Sequence, residues 1–227
     1  MAKAPVPGLA KTRLAHGVGA VAAADLAAAA LLDTLDTCEA FAPKSARLIA
    51  IVGDLRRGRQ GAEISRRLGS WRVIGQSGTT FAARLVRAHF DAARLWGDSV
   101  PLVQIGTDTP QVSLSDLFAL ADAVTGPAGP RSDAALGPAA DGGWWGLATR
   151  RAGYVDQLAD VPMSQPDTAR RTLEALGAAG AAVSVVHELV DVDTVEDAIL
   201  VAAHAEQTRF AHCLNQVLAG AELSRAL

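Results

Sequence analysis

The sequence predicts an α/β protein in which helices cover a mostly parallel sheet. Short apolar segments of strand length alternate with longer segments that have the apolar spacing of helices, and the connections between them are short. No internal repeat is visible. With 227 residues, half of them apolar, the chain can bury a core, and we expect residues 1–227 to form a single domain.

The segment 100–110 is the one around which we expect the fold to be organised. An apolar run stops abruptly at Gly106-Thr107-Asp108-Thr109-Pro110, which predicts a buried strand with Asp108 at its C-terminal tip. In open α/β sheets, ligands bind outside the carboxyl ends of the strands. Asp108 is therefore a candidate ligand-binding carboxylate, although aspartate is also a common turn residue.

Residues 3–13 predict an anion-binding loop. Two prolines restrict the backbone, a glycine permits close approach, and the loop ends in alternating cations that suit a diphosphate. An ordinary basic terminus is the alternative. The candidate phosphate-binding residues are Lys3, Pro7, Gly8, Lys11 and Arg13.

Periodicity and turn residues give the other elements. We expect helices over 21–41, 60–68, 80–96, 114–124, 166–179, 195–205 and 208–218, and further strands over 46–52, 71–74, 133–136 and 182–189. In the helix 80–96, the predicted buried stripe contains Phe81, Leu85, Ala88 and Ala92, and His89 is expected on the helix surface.

A glycine-rich corner follows the strand at 133–136 and reads Asp141-Gly142-Gly143-Trp144-Trp145. The glycines open the backbone beside a carboxylate and two indoles, so this corner is a candidate acceptor or sugar subsite with Asp141 as the catalytic carboxylate. Consecutive strand residues point to opposite faces, and at most one tryptophan should face a given pocket. Packing of both indoles and a turn role for Asp141 are the alternatives.

An acidic segment, 191–197, precedes the predicted helix that starts at Val195. Thr194 or Asp193 can cap this helix, and Glu196 and Asp197 complement its dipole. Asp191 and Asp193 alternate along the end of the preceding strand. One of them can therefore point into the ligand-binding crevice at the carboxyl ends of the strands while the other caps the helix.

Composition limits the function classes. The formal net charge of −3 argues against nucleic-acid binding, because the two basic clusters, at 56–59 and 66–67, are short. Cys38 and Cys213 lie far apart, which indicates reduced thiols, and no apolar run is long enough for a membrane span. We expect a cytoplasmic protein of undetermined oligomeric state.

Four ordered segments, 3–14, 106–110, 137–145 and 191–197, resemble the bacterial GT-A-type glycosyltransferase family DUF2064. The resemblance covers nearly the whole chain. It implies a nucleotide-diphospho-sugar transferase fold, a Rossmann-like three-layer sandwich whose mostly parallel sheet contains one antiparallel strand. In that family an apolar strand precedes the loop, whereas only Met1 and Ala2 precede Lys3 here. We therefore expect the first strand to be missing and the natural start to lie upstream.

The resemblance also implies roles for individual residues. Asp108 and Asp193 would bind Mg²⁺ or Mn²⁺, although Val195 replaces a proline that follows the second carboxylate in some similar enzymes. Lys11 and Arg13 would hold the nucleotide phosphates, and Gln76, in the turn 75–78, would lie near the base.

The function expected from these features is metal-dependent transfer from a nucleotide-diphospho-sugar to an unknown small-molecule acceptor. Two alternatives stay open. Residues 10–14 also resemble the loop of guanylyltransferases that activate phosphorylated acids, which would use a nucleoside triphosphate. A non-catalytic nucleotide-sugar-binding domain is the third hypothesis.

Overall fold

A computed structural model describes residues 1–126 and 131–226. This part of the chain contains seven strands and eight α-helices. The strands are β1 (Ala2–Lys3), β2 (Leu48–Val52), β3 (Arg72–Gly75), β4 (Leu102–Ile105), β5 (Ala134–Pro138), β6 (Trp144–Thr149) and β7 (Val183–Val185). The helices are α1 (Thr12–Val18), α2 (Ala20–Phe41), α3 (Gly61–Leu68), α4 (Phe81–Trp96), α5 (Leu114–Thr125), α6 (Thr168–Ala178), α7 (Val195–His204) and α8 (Arg209–Ala226).

The chain divides into two compact units that are each built from separated segments. Unit A contains Ala2–Ile74, Thr107–Ser113 and the chain from Asp191 onward. Unit B contains Met1, Gly75–Gly106 and Leu114–Val190. The expectation of a single domain stays a prediction.

Unit A has a three-stranded sheet in the order β1-β2-β3. Strand β1 is parallel to β2, with Ala2 opposite Ile51 and Lys3 opposite Val52. The expectation that the first strand is missing is therefore corrected, because Ala2 and Lys3 form a two-residue strand beside β2. Helix α2 is rich in alanine and leucine and ends before Pro43, which disfavours helix at Ala42. Its apolar face packs on the sheet and α3 through Ala28, Leu31, Leu32, Leu35, Ile49, Ile64 and Leu68.

Unit B has a four-stranded sheet in the order β4-β6-β5-β7. Strand β6 is antiparallel to both β4 and β5, whereas β5 and β7 are parallel. Strands β4 and β5 therefore run the same way, and β6 is the single antiparallel strand among the four. The sheet confirms the mixed topology that the family resemblance implies. Its strands are almost completely buried along Ala134–Gly137 and Trp145–Thr149, which explains their continuous apolar and small-residue sequence.

The predicted helices and strands are confirmed in position, although β7 covers only Val183–Val185 of the strand expected over 182–189. Four helical segments are new, and two of them are short 3₁₀ turns at Lys44–Ala46 and Leu55–Arg57. Helix α1 occupies residues that the sequence predicts as the end of a loop, and a 3₁₀ segment covers Ala152–Asp160. Among the described residues, no helix is both long and apolar enough to cross a membrane.

Two predictions for α4 are wrong. His89 is buried rather than on the helix surface, and its Nε2 lies 3.1 Å from Oγ1 of Thr149 on β6. Burial lowers the pKa of His89 to about 4, although a hydrogen bond with the Gln104 side chain acts in the opposite direction. Phe81 is exposed, because the buried stripe begins one residue later, at Ala82.

Candidate functional site

The loop before α1 is packed rather than free. Ala4, Val6 and Ala10 are buried, and the Val6 carbonyl accepts hydrogen bonds from the backbone N–H groups of Leu9 and Ala10, each at 3.0 Å. Gly8 turns the chain with a φ of 76°, which other residues rarely adopt. Because the loop is anchored in unit A, the direction of the side chains that follow it is fixed.

Lys11 places its ammonium group between two chain segments. The Nζ atom is 2.7 Å from Oδ1 of Asp108 and 4.0 Å from Oδ1 of Asp193, and it donates a short hydrogen bond to the Val192 carbonyl. The stem is buried, with only 10% of the side chain exposed. Lys11 itself has a φ of 48°, so its backbone is held in the left-handed region just before α1.

Arg13, on the first turn of α1, completes the cluster. Its guanidinium lies 2.8 Å from Oδ2 of Asp193, so Asp193 contacts both cations. The backbone N–H of Val192 donates to the Asp108 carbonyl at 2.9 Å, which joins the segments that carry the two carboxylates. We call Lys11, Arg13, Asp108 and Asp193 the strand-tip cluster.

Helix capping leaves Asp193 available for these cations. Thr194, not Asp193, is the N-cap of α7, and its side chain accepts the Asp197 backbone N–H in a reciprocal capping box. Burial would raise the pKa of Asp197, but the pKa lies below its ordinary value. It is lowered by hydrogen bonds from the side chain and backbone of Thr194, by the Asp193 N–H and by the charge of Lys11. Thr194 was one of the two predicted caps, but the prediction that either Asp191 or Asp193 caps the helix is wrong, because Thr194 takes that role.

The donor set of the strand-tip cluster suits a hard divalent cation only in part. Carboxylate oxygens are the ligands that Mg²⁺ and Mn²⁺ prefer. Within the described residues, however, no group of three or more His, Cys, Asp or Glu side chains could hold a metal. The two carboxylates already face two cationic side chains. A metal would fit if a ligand supplied further oxygens and a new partner for Lys11.

The glycine-rich corner belongs to unit B and has a different character. Asp141 is exposed, and its Oδ1 accepts the Gly143 N–H at 2.7 Å, which is the turn role considered above. Gly142 has a φ of 87°, and a Cβ there would lie 2.0 Å from the Pro166 carbonyl oxygen. Trp144 is half-buried against the core of unit B, whereas Trp145 is fully buried. As expected, the two indoles differ in burial.

The remaining phosphate and base candidates are divided between the two units. Lys3 is exposed on β1, Pro7 and Gly8 form the turn before Lys11, and Gln76 lies in unit B, half-buried ahead of α4. The roles assigned to them stay predictions.

One histidine–carboxylate contact of unit B has no sequence signal. His187 and Asp116 are far apart in the chain, and neither stands in a recognisable motif, yet Nε2 of His187 lies 3.0 Å from Oδ1 of Asp116.

Comparison with known proteins agrees with the fold. A crystal structure from Desulfovibrio desulfuricans G20, provisionally named as a nucleotide-diphospho-sugar transferase, is 25% identical to this chain and has a TM-score of 0.78. The similarity covers 96% of this chain and 92% of that one. No curated protein matches significantly. The family model "Uncharacterized protein conserved in bacteria (DUF2064)" matches residues 34–165, which is more than half of the sequence. The chain therefore belongs to the DUF2064 family.

Proposed function

We propose that this protein is a transferase that uses a nucleotide-diphospho-sugar as its donor and binds the diphosphate at the strand-tip cluster with Mg²⁺ or Mn²⁺. One observation carries the proposal: an Oδ1 atom of Asp108 and one of Asp193 lie within 4.0 Å of the Lys11 ammonium group. The three residues come from three separate sequence motifs. The name of the structural neighbour supports the same donor class.

The chemistry of the donor explains why such a cluster is useful. When the bond to a nucleoside diphosphate breaks, negative charge develops on the leaving phosphate oxygen. Lys11 offers a compact point charge, and Arg13 offers a planar group that can bind two phosphate oxygens. Asp108 and Asp193 would hold the metal, which would supply a Lewis acid for the same oxygens.

The cations of the cluster also balance the charge of its carboxylates. Two carboxylates close to one another would repel if they had no cations beside them. Lys11 and Arg13 neutralise them, and Arg13 is largely exposed, so its guanidinium can leave Asp193 for a phosphate at low cost. The cluster thus exchanges internal partners for a metal and a diphosphate.

The glycine-rich corner contributes to the proposal only through its accessible groups. Trp144 is half-buried and Asp141 is exposed, so these side chains, with Gly142 and Gly143, can contact a sugar or an acceptor. The buried Trp145 would act through packing.

The test is a thermal-shift screen of nucleoside diphosphates, triphosphates and nucleotide sugars with Mn²⁺, followed by product analysis with the ligands that bind. A ligand present at 100 times its Kd should stabilise the wild type by about 2.7 kcal/mol. Lys11→Ala, Arg13→Ala and Asp108→Ala should each weaken diphosphate binding more than nucleoside binding. Arg56→Ala, which removes an exposed ion pair with Asp54 in unit A, is the matched control and should bind normally.

The products separate the three hypotheses. Release of a nucleoside diphosphate from a nucleotide sugar supports glycosyl transfer. Release of pyrophosphate from a nucleoside triphosphate and a phosphorylated acid would instead establish nucleotidyl transfer, to which the strand-tip cluster is equally suited by charge. Binding without either product would leave a nucleotide-sugar-binding domain, and equal affinities in wild type and Asp108→Ala would refute the metal role.

A further inference from the structure

The two cations of the strand-tip cluster differ in how firmly unit A holds them. Only 10% of the Lys11 side chain is exposed, against 64% of the Arg13 side chain. The Lys11 ammonium lies 2.7 Å from Oδ1 of Asp108 and 4.0 Å from Oδ1 of Asp193. Among the described residues, the Arg13 guanidinium pairs with Asp193 alone. Lys11 is therefore the internal cation of the cluster, and Arg13 lies at its surface.

The backbone that carries Lys11 is held by contacts other than these ion pairs. Its φ of 48° is a left-handed conformation, which persists in a non-glycine residue only where the surrounding structure holds it. The Lys11 carbonyl accepts the Ala15 N–H at 2.9 Å. Helix α1 also packs closely on α7, because a Cβ at Gly17 would lie 2.4 Å from Cγ2 of Val195. A change of partner at Lys11 is thus confined to its flexible side chain.

The Lys11 ammonium and a divalent ion would need the same oxygen atoms. Mg²⁺ binds carboxylate oxygens at about 2.0–2.1 Å. Since the ammonium lies 2.7 Å from Oδ1 of Asp108, two cations that shared this oxygen would be less than about 5 Å apart. Like charges at that distance repel, and they repel more strongly where little water screens them. The largely buried ammonium therefore has to leave Asp108 before a metal can use that oxygen.

We propose that Lys11 is an internal competitor of the metal, which makes the binding of a divalent ion depend on the diphosphate of the donor. This inference rests on the proposed metal and diphosphate site. A diphosphate offers the ammonium new anionic partners, and the oxygens of Asp108 and Asp193 then become available to the ion. The metal and the diphosphate raise each other's affinity, because each removes the charge that opposes the other.

The charge balance of the cluster supports the proposal. Two cations and two carboxylates of opposite sign face one another, so the cluster attracts neither a free metal ion nor a free diphosphate through a net charge. Two carboxylates are also few ligands for a metal, and the described residues supply no group of three His, Cys, Asp or Glu side chains. The site should therefore bind the metal and the diphosphate together, and the nucleoside diphosphate should leave with its metal.

Binding of Mn²⁺ without any nucleotide tests the competition, and the signal of the free ion in electron paramagnetic resonance measures it. Lys11→Met retains an unbranched side chain but removes the charge. It should bind Mn²⁺ at least about fivefold more tightly than the wild type, the lower end of the usual coupling between sites. Lys11→Gln is also uncharged and should show the same gain, so it serves as a second variant if the methionine variant is unstable.

Arg13→Gln is the matched control, because it removes the other cation of the cluster from Asp193. Its gain in Mn²⁺ affinity should be smaller than that of Lys11→Met, since the exposed guanidinium is not paired with Asp108. Equal gains in the Lys11 and Arg13 variants would show a general effect of charge and overturn the proposal. Wild-type affinity in both Lys11 variants would overturn it as well.

Binding of pyrophosphate in the presence of EDTA tests the reverse direction. Asp108→Asn removes the charge that holds the ammonium at 2.7 Å, so Lys11 becomes available to another anion. Pyrophosphate should then bind about fivefold more tightly than to the wild type, by the reciprocity of coupled sites. Unchanged or weaker binding to Asp108→Asn would contradict the competition.

These outcomes differ from a failure of the proposed function. The Mn²⁺ and pyrophosphate measurements use no nucleotide sugar, so a gain in the Lys11 variants supports the competition even if the wild type consumes no such donor. Conversely, a wild type that binds and consumes a nucleotide sugar, together with Lys11 variants that gain no Mn²⁺ affinity, confirms the function and refutes the competition.

Discussion

Two groups of ion pairs in unit A are built from similar residues, but their carboxylates have different hydrogen-bond partners. One is the strand-tip cluster. The other, which we call the helix ladder, joins α2 to α3 and α8 through Asp33, Asp36, Glu39, Arg67 and Arg209.

In the helix ladder, carboxylates accept hydrogen bonds from the fold itself. Asp33 accepts the backbone N–H groups of Arg209, at 3.0 Å, and Phe210, at 2.9 Å, and so caps α8 from α2. Glu39 accepts the indole N–H of Trp71 at 3.0 Å. Burial would raise the pKa of Glu39, but its hydrogen bonds with Trp71 and Arg67 keep that pKa below the usual value.

In the strand-tip cluster, the side-chain oxygens of Asp108 and Asp193 meet cationic side chains only, as far as the described residues show. No helix end or strand depends on those oxygens, and the side chain of Asp108 is 57% exposed. From this difference we infer that the partners of a carboxylate, rather than its charge, distinguish a structural ion pair from one that can exchange its partners for a ligand.

His89 provides the largest expected effect, because it is a buried polar group of unit B and no charged side chain of the described residues pairs with it to offset its protonation. Its pKa is about 4 in the folded chain and near 6.5 when unfolded, so the unfolded chain binds more protons between these values. Stability should therefore fall as the pH drops from about 6.5 to about 4, by on the order of 3 kcal/mol.

Urea unfolding across this pH range measures the effect. His89→Gln retains a polar group near Thr149 but does not titrate, and its curve should be flatter than that of the wild type by this amount. Parallel curves would show that other groups cause the acid sensitivity.

Asp33→Ala tests the helix ladder and has the next largest effect. The substitution removes the acceptor of two backbone N–H groups at the start of α8, and we expect a loss of about 2 kcal/mol in the free energy of unfolding. Chemical denaturation provides the measurement. Affinity for nucleoside diphosphate, measured well below the unfolding transition, should be unchanged, and a selective loss of affinity would contradict the structural role.

The sequence allowed the scaffold and the strand tips to be predicted. The Ala/Leu spacing of α2 and the apolar run of β4 decide those elements locally, and the rule for carboxyl ends of strands links Asp108 with a ligand. Thr194 was also predicted as one of two possible N-caps of α7, whereas the reciprocal hydrogen bond from Asp197 became apparent only in the structure.

The contacts that depend on tertiary packing were not predictable. Residues 12–18 are short and contain Gly17, so no local signal separates helix α1 from a loop; Gly17 instead makes room for Val195, whose Cγ2 would be 2.4 Å from a Cβ there. His89 was wrongly predicted to lie on the helix surface, because a single histidine within an apolar stripe gives no local sign that it is buried. The pairing of His187 with Asp116 requires the packing of α5 beside the segment after β7, which no spacing in the sequence encodes.

The smallest expected effect on stability belongs to Asp108→Asn, and it tests the comparison most directly. Asparagine retains the size of the side chain but removes the charge that faces Lys11, whose ammonium still donates to the Val192 carbonyl. Because Asp108 is exposed and holds no backbone group through its side chain, the free energy of unfolding should change by less than about 0.5 kcal/mol, as for other surface ion pairs. Metal-dependent binding of nucleoside diphosphate should nevertheless be lost, as measured by calorimetry with Mn²⁺. Asp33→Asn is the matched substitution in the helix ladder, with the opposite expectation of lower stability and normal binding. If Asp108→Asn destabilises the fold as much as Asp33→Asn does, both groups are structural and the distinction between them is wrong.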